Sequence, residues 1–326
     1  MVKVTVIIPN WNGKEYLKTC LPSLIKQSFK DFEIILIDNG STDGSVKFAE
    51  RFVNLKIIKL KKNIGFAPAV NLGIESSKSE YLVLLNNDTK VDIRCLEYLV
   101  KAAESHPEVG MVAAKMLNFY NPKLIDSAGD YIDAVGHANN IGWQERDGEK
   151  FNQAKNIFLV SGGGCLIKRQ VILKVGLLDD DFFAYFEDVD FCFRAQLAGF
   201  KAWFEPRAKI FHVHKATSRR NQGLTEYLQF RNMTITVIKN FPPKLLIHNF
   251  NWLKILLVNI NTVRFLATQG YFKEALKAEI YILTHLLNIL LKRRKTQSLK
   301  VVSDEYIISW VLPKKITLFG LFRNGI

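Results

Sequence analysis

Three acids fall within four positions of FFAYFEDVDFCFRAQLAGF: Glu187, Asp188 and Asp190, set among aromatic side chains. Acids favoured by the dipole of a first helical turn produce this pattern. So does a general base held at a helix start beneath an apolar lid. A second stretch, YLVLLNNDTK, runs five strand-like residues straight into Asn86, Asn87 and Asp88. Such residues serve turns through local backbone bonds. A single carboxylate at a strand end also suits Mg²⁺ or Mn²⁺, hard cations that often take only one or two carboxylates beside phosphate oxygens. His212 and His214 share one side of the extended segment FHVHKATS, and such a pair downstream of acids points toward a metal ligand. SGGGCLIKR supplies Gly163 and Gly164, where a ligand can approach the backbone closely.

Smaller polar groups recur at comparable places. VIIPNWNGKEYL ends its apolar run at Pro9 and sets Asn10, Trp11 and Asn12 at the mouth. IILIDNGSTDGS ends on Asp38, which could accept a hydrogen bond from a nucleobase imide or a ribose hydroxyl, and Ser41 or Thr42 can cap the helix that follows. NIGFAPAVNLGI offers the amides of Asn63 and Asn71. No GxGxxG follows the first run and no GxxxxGK[ST] occurs anywhere, which excludes the dinucleotide fingerprint and the phosphate loop.

These residues need a scaffold. Residues 4–8, 33–38, 55–60 and 81–85 read as strands, and 14–27, 43–52 and 67–76 as helices between them. Alternation at this interval predicts an α/β fold, a mostly parallel sheet with helices on both faces. The polar groups then lie at the carboxyl edge, where open sheets bind ligands. Residues 111–153 look irregular or antiparallel, order returns at 158–168, and a helix is expected over 187–197. Beyond Thr225 the chain reads as helical, with main helices at 246–267 and 272–291. The expected division is a Rossmann-like unit at 1–239 and a basic, amphipathic helical region at 240–326.

Four scattered cysteines without a CxxC pair suggest a reducing compartment, and no secretory leader is expected. The net charge is +14, and residues 240–326 carry 13 Lys and Arg against 4 Asp and Glu. Nucleic acid is not the expected partner, because the basic residues do not interleave with aromatics on a recognisable module. A membrane-spanning helix needs about 20 apolar residues. The best run, 280–291, has 12, includes His285 and Asn288, and ends in KRRK. Peripheral contact with an anionic membrane surface is therefore expected, with packing on the catalytic unit or on a second copy as the alternative.

Taken in order, VIIPNWNG, IDNGSTDGS, NIGFAPAVNLGI, LLNNDT and FFAYFEDVDFCFRAQLAGF resemble glycosyltransferase family 2, the inverting enzymes of the GT-A fold that use nucleotide-sugar donors. The resemblance runs over residues 2–246 and is nearest to the rhamnosyltransferase-like branch that builds surface polysaccharides. It implies that Pro9, Asn10, Asn12 and Asn87 line the nucleotide site, with Trp11 near the base or ribose. Asp38 would bond the base, and Asn63 and Asn71 would lie near ribose and pyrophosphate. Asn86–Asn87–Asp88 stands where the family has its DxD motif, with Asn86 replacing the first Asp. Asp88 would hold Mg²⁺ or Mn²⁺ with His212, His214 being the alternative ligand. Asp188 would be the general base, with Gly163, Gly164, Glu187 and Asp190 near the donor sugar and acceptor. The implied donor is dTDP-rhamnose-like or a UDP-sugar. The implied acceptor is a glycan or a polyprenyl-diphosphate-linked hydroxyl at the cytoplasmic face of the cell membrane. A sugar nucleotidyltransferase would want a Gly- and Arg/Lys-rich loop after the first strand, where NWNGKEYL has one Gly and one Lys.

Overall fold

The computed structural model describes residues 2–53, 55–213 and 221–311. The first elements alternate: β1 (Val4–Asn10), α1 (Lys14–Ile25), β2 (Phe32–Asp38), α2 (Ser45–Ala49), β3 (Leu55–Lys59), α3 (Phe66–Glu75) and β4 (Tyr81–Leu85). There follow β5 (Thr89–Val91), α4 (Cys95–Ser105), β6 (Val109–Asn118), β7 (Ile125–Ser127), β8 (Asp130–Ile132), β9 (Ala138–Asn140), β10 (Lys155–Ile157) and β11 (Gly164–Lys168). Then come α5 (Arg169–Val175), α6 (Glu187–Leu197) and β12 (Lys201–His212). The helical region holds α7 (Gln222–Asn240), α8 (Pro243–Ile247), α9 (Asn251–Thr268), α10 (Phe272–Thr284), α11 (Leu286–Ser298) and α12 (Asp304–Val311).

The sheet order is β10-β12-β6-β11-β4-β1-β2-β3, with β5 on β12 and β7 on β6. Strands β4, β1, β2 and β3 pair in parallel, as do β6 and β12, while β11 runs antiparallel between β4 and β6. The two-residue period of a strand sends alternate side chains to opposite faces. Ile7, Ile35, Ile37, Leu82 and Leu84 therefore join one core with α3 and α6. Val6, Ile8, Leu36, Val83 and Leu85 join the other with α1 and α4. On α1, Leu17, Leu21 and Leu24 recur at helical spacing and are fully buried, each contributing about 2 kcal/mol relative to exposure. The chain steps from β1 to β2 to β3 in one direction and then places β4 on the other side of β1. The crevice at such a switch point opens at the carboxyl ends of the strands.

Two expectations need correcting. The stretch 111–153 is antiparallel, as expected, where β7 pairs with β6 and β8 with β9, but it opens on most of β6, a ten-residue strand with nine buried positions that also pairs in parallel with β12. Lys115 obscures it, because a lysine inside an apolar run reads as a break. Here it is fully buried, and its ammonium donates to Asp147 at 2.8 Å and Asn152 at 2.6 Å. The expected helix over 272–291 is two helices, interrupted at His285.

The helical region shares its core with the sheet unit. Phe241, Leu245, Ile307 and Val311 lie in the same cluster as Ile7 and Leu84. Phe182 packs with Ile235, Ile282 and Ile289, joining the loop before α6 to α7, α10 and α11.

Candidate active site

Three groups of side chains meet along the carboxyl edge. The first joins β1, β2 and β4. Asn10 is buried at the end of β1, and its amide donates to Asp38 Oδ1 and Ser41 Oγ, both at 3.2 Å. Its own oxygen accepts from Asn87 Nδ2 at 2.7 Å. The Ser41 amide donates to Asp38 Oδ2 at 3.1 Å. Gly13 has to be small: a Cβ there would lie 2.1 Å from Asn87 Nδ2 and 2.5 Å from Asn10 Oδ1. Asn12 sits at φ +50° with its oxygen accepting from the Thr42 amide at 2.8 Å, and Trp11 and Pro9 are half-buried beside it. Sequence reasoning passed over Asn39. It is buried, accepts from the Ile64 amide at 2.8 Å, and donates to Asn63 Oδ1 at 3.0 Å and the Gly65 carbonyl at 2.9 Å. Its signal was its place directly after Asp38 at a strand end.

The second group surrounds His212, at the end of β12. Pairing of β12 with β5 sets His212 opposite Thr89, next to Asp88. His212 Nε2 lies 3.3 Å from Asp88 Oδ1, and Nδ1 lies 2.7 Å from Asp126 Oδ2. Asn86 Nδ2 is 3.5 Å from Nε2. Burial alone would lower the imidazole, but hydrogen bonds to Asp126 and Asp88 carry it up to about 10. Asp126, on β7, had no sequence signal, because the stretch read as irregular or antiparallel gave no pairing for it. His214 falls outside the described residues. A carboxylate oxygen facing an imidazole nitrogen is a mixed donor pair that divalent manganese accepts, and the carboxylate on the far nitrogen is the orienting partner that metal-ligating histidines usually have. Asp88 and His212 thus fit a divalent cation, which would displace the imidazole proton.

The third group is the start of α6. Asp188 Oδ2 accepts from the Gly162 amide and Oδ1 from the Val189 amide, each at 2.8 Å. Burial pushes the Asp188 carboxyl above its ordinary value, and those backbone bonds offset part of the rise. Burial, and then the neighbouring Asp188, push Glu187 well up. Burial likewise raises Asp130 to about 8, although the Ser127 hydroxyl donates to it at 2.8 Å. The second and third groups join through consecutive glycines. Gly162 donates to Asp188, while the Gly163 carbonyl accepts from the Asn86 amide at 3.1 Å. A Cβ on Gly163 would lie 2.9 Å from Asn86 Nδ2, and Gly164 pairs with Leu85.

Two of the expected residues are engaged elsewhere. The Asp190 carboxylate accepts from Arg194 at 2.9 Å, and from Lys239 and Asn240 at 2.8 Å. It ties α6 to α7, and these cations, with burial opposing them, hold it below the ordinary carboxylate range. Asn71 donates to the Leu178 carbonyl at 2.8 Å and to Asp180 at 2.6 Å, and accepts from the Leu178 amide at 3.1 Å, which tethers the loop after α5.

Comparison with known proteins bears on the fold and the family. The O-antigen biosynthesis protein RfbC of Myxococcus xanthus is 28% identical over 235 residues, covering 69% of this chain and 18% of that protein. The chain spans less than half the length of the curated relatives it matches. GalNAc-T7, solved with UDP, GalNAc and Mn²⁺, superposes with a TM-score of 0.62 at 18% identity, over 74% of this chain and 49% of that one. The mannosyltransferase PcManGT from Pyrobaculum calidifontis, solved with GDP-Man and Mn²⁺, superposes at 0.52 and 18% identity, over 94% of this chain and 85% of that one. These likenesses establish a GT-A fold. A family model described as "Glycosyl transferase family 2" matches residues 5–176, just over half of the 326, and the chain belongs to that family.

Proposed function

We propose that this protein transfers a sugar from a nucleoside-diphosphate donor to an acceptor hydroxyl, inverting the anomeric configuration. The observation that carries the reading is the juxtaposition, across two consecutive glycines, of a half-buried Asp188 and the Asn86–Asp88–His212 group. Asp38 and Asn10 present a buried carboxylate and amide at the strand ends, suited to a base and ribose. Asp88 and His212 would hold a divalent cation, which would supply the positive charge that a departing diphosphate needs. Asp188 takes the proton of the acceptor hydroxyl. The acceptor oxygen bonds to the anomeric carbon as the bond to the diphosphate oxygen breaks on the opposite face, and the diphosphate leaves with the electron pair. A single displacement needs no covalent carboxylate intermediate. Raised affinity of Asp188 for a proton makes it a stronger base than a solvated carboxylate.

The name of the Myxococcus relative favours a role in surface polysaccharide synthesis. In that reading the donor is dTDP-rhamnose-like or a UDP-sugar, and the acceptor is a glycan or a polyprenyl-diphosphate-linked hydroxyl at the inner face of the membrane. No described helix is long and apolar enough to cross a membrane. The helical region nevertheless exposes Ile247 and Phe250 at 70%, Leu283 at 69% and Leu287 at 80%, apolar side chains of a kind that suits peripheral lipid contact. The basic KRRK segment contributes less to such contact than its sequence suggests. Lys292 donates to Asp179 and Asp181 at 2.5 Å, and Arg293 to the carbonyls of Ile238 and Phe241 at 2.5 and 2.8 Å.

A screen of nucleotide sugars with Mg²⁺ or Mn²⁺, reading nucleoside diphosphate release and thermal stabilisation, tests the function. No response to any donor, with or without cation, would overturn it. Flotation with anionic liposomes tests the surface: Leu283→Asp with Leu287→Asp should abolish binding, and unchanged binding would exclude these side chains.

A further inference from the structure

The segment that delivers Asp188 is strained and fully strapped. Phe183, Tyr185 and Phe186 all sit at positive φ, between 62° and 68°. That backbone is unfavourable for non-glycine residues and persists only where the surroundings impose it. Phe186 is the residue that opens α6.

What imposes it is a pair of adjacent residues on α7. Asn232 is fully buried, and its Nδ2 lies 2.9 Å from the carbonyls of Phe182 and Ala184 and 2.7 Å from that of Tyr185. An amide nitrogen has two hydrogens, so three carbonyls share them. Arg231 Nη2 donates to the carbonyls of Asp181 at 2.7 Å and Phe182 at 3.1 Å. Its Nε donates to Asn232 Oδ1 at 2.8 Å, which fixes the direction of the asparagine amide. The guanidinium is itself pinned over the rings of Tyr227 and Tyr281. From the other side, the amides of Phe66 and Ala67 at the start of α3 donate to the Phe183 carbonyl at 2.5 and 3.1 Å. Every carbonyl from 181 to 185 is thereby held.

We propose that Asn232, oriented by Arg231, is a positioning residue for the reaction: it sets the 181–186 loop so that α6 begins where Asp188 meets the Gly162 amide. The proposal rests on the reading of Asp188 as the base. Asn232 touches neither donor nor base, so its removal should lower turnover and leave donor binding intact. Misplacing a reacting group by about 1 Å costs on the order of a hundredfold.

The test compares Asn232→Ala, Arg231→Gln and Leu245→Ala in the full chain. Leu245 is fully buried on α8 and has no bond to this loop, so it reports the effect of a core truncation alone. Expected for Asn232→Ala is a fall in kcat of about tenfold to a hundredfold, with donor KM and nucleotide affinity within about twofold of the parent. Amide exchange over residues 182–190 should speed up. Arg231→Gln should show the same pattern more weakly, and Leu245→Ala should keep its kcat while losing stability. A kcat for Asn232→Ala within about twofold of the parent would overturn the proposal. So would an equal kcat loss in Leu245→Ala, or a collapse of both α7 variants that takes nucleotide affinity with it. Should Asp188→Asn retain turnover, the base assignment fails whatever happens at 232. Should Asp188→Asn be inactive and Asn232→Ala fully active, only the clamp fails.

Discussion

Replacing Gly13 with alanine isolates the first group of the site. The backbone there has φ −110°, which any residue adopts, so strain is not the issue. The added methyl would fall 2.1 Å from Asn87 Nδ2 and 2.5 Å from Asn10 Oδ1. Both positions are far inside contact distance, and the atoms are the two ends of one hydrogen bond. Asn87 is the end that can move, because Asn10 is buried and held by Asp38 and Ser41. The bond is therefore lost, and Asn10 keeps a buried carbonyl oxygen without that partner. Leaving a buried acceptor unsatisfied costs about 1–3 kcal/mol. The donor nucleotide should then bind about tenfold or more weakly, at 1.4 kcal/mol per tenfold. Calorimetric titration with a nucleoside diphosphate reads this directly. The double-mutant cycle sharpens it. Asn87→Ala removes the closer clashing atom, so Gly13→Ala should cost much less in that background, and the two effects should be strongly non-additive. Affinity within about twofold of the parent for Gly13→Ala, or strict additivity with Asn87→Ala, would refute the assignment of this corner to the donor. A loss confined to thermal stability would refute it too, since alanine for glycine at a helix N-cap costs a little by itself.

Other outcomes follow from the remaining groups. Asp188→Asn should reduce turnover on the order of a hundredfold or more while nucleotide affinity holds, as stopped assays and titration would show. His212→Ala should weaken Mn²⁺ binding by about tenfold or more, measured by competition with a metal indicator in the absence of donor. Asp126→Asn should weaken it by a smaller factor, since Asp126 acts through the imidazole. Asp130 holds its proton up to about pH 8 in the folded chain, against an ordinary value near 3.8 unfolded. The folded state binds the extra proton between those limits, so the contribution to stability is whole below about pH 4 and declines as pH rises to about 8. Asp130→Asn should flatten that decline in thermal melts taken across the range.

The parallel half of the fold was legible because its strands are short apolar runs ending in polar clusters. The run from Tyr81 to Leu85 is uniformly buried, and its end delivers Asn86 to the crevice. The helix expected over 187–197 is α6. The other half was opaque for local reasons. In β6, Lys115 breaks the apolar pattern while finding its partners 32 and 37 residues away, a distance that no periodicity encodes. Asp126 was hidden for the same reason, since only the pairing of β6 with β7 and β12 carries it to His212. Type and spacing could nominate Asp190 but could not see that Arg194, Lys239 and Asn240 claim it. Among the helices, the surplus of positive charge suggested a surface function, yet Lys292 and Arg293 face inward to carboxylates and carbonyls that sequence alone does not locate.

The contacts of α10 and α11 with the loop before α6 also bear on how the protein is put together during its synthesis. Phe182 is buried against Ile282 and Ile289, and Asp179 and Asp181 wait for Lys292. Synthesis runs from the N-terminal side, so β12, the last strand of the sheet, is complete at His212, 60 residues before α10 begins at Phe272 and 74 before α11 begins at Leu286. A nascent chain halted near residue 250 would already carry Asn232 and Arg231 of α7 on this loop, while Phe182 still lacked Ile282 and Ile289, and Asp181 still lacked Lys292. The loop that leads into Asp188 is therefore bonded by α7 first and gains its apolar backing last, when α10 and α11 are made.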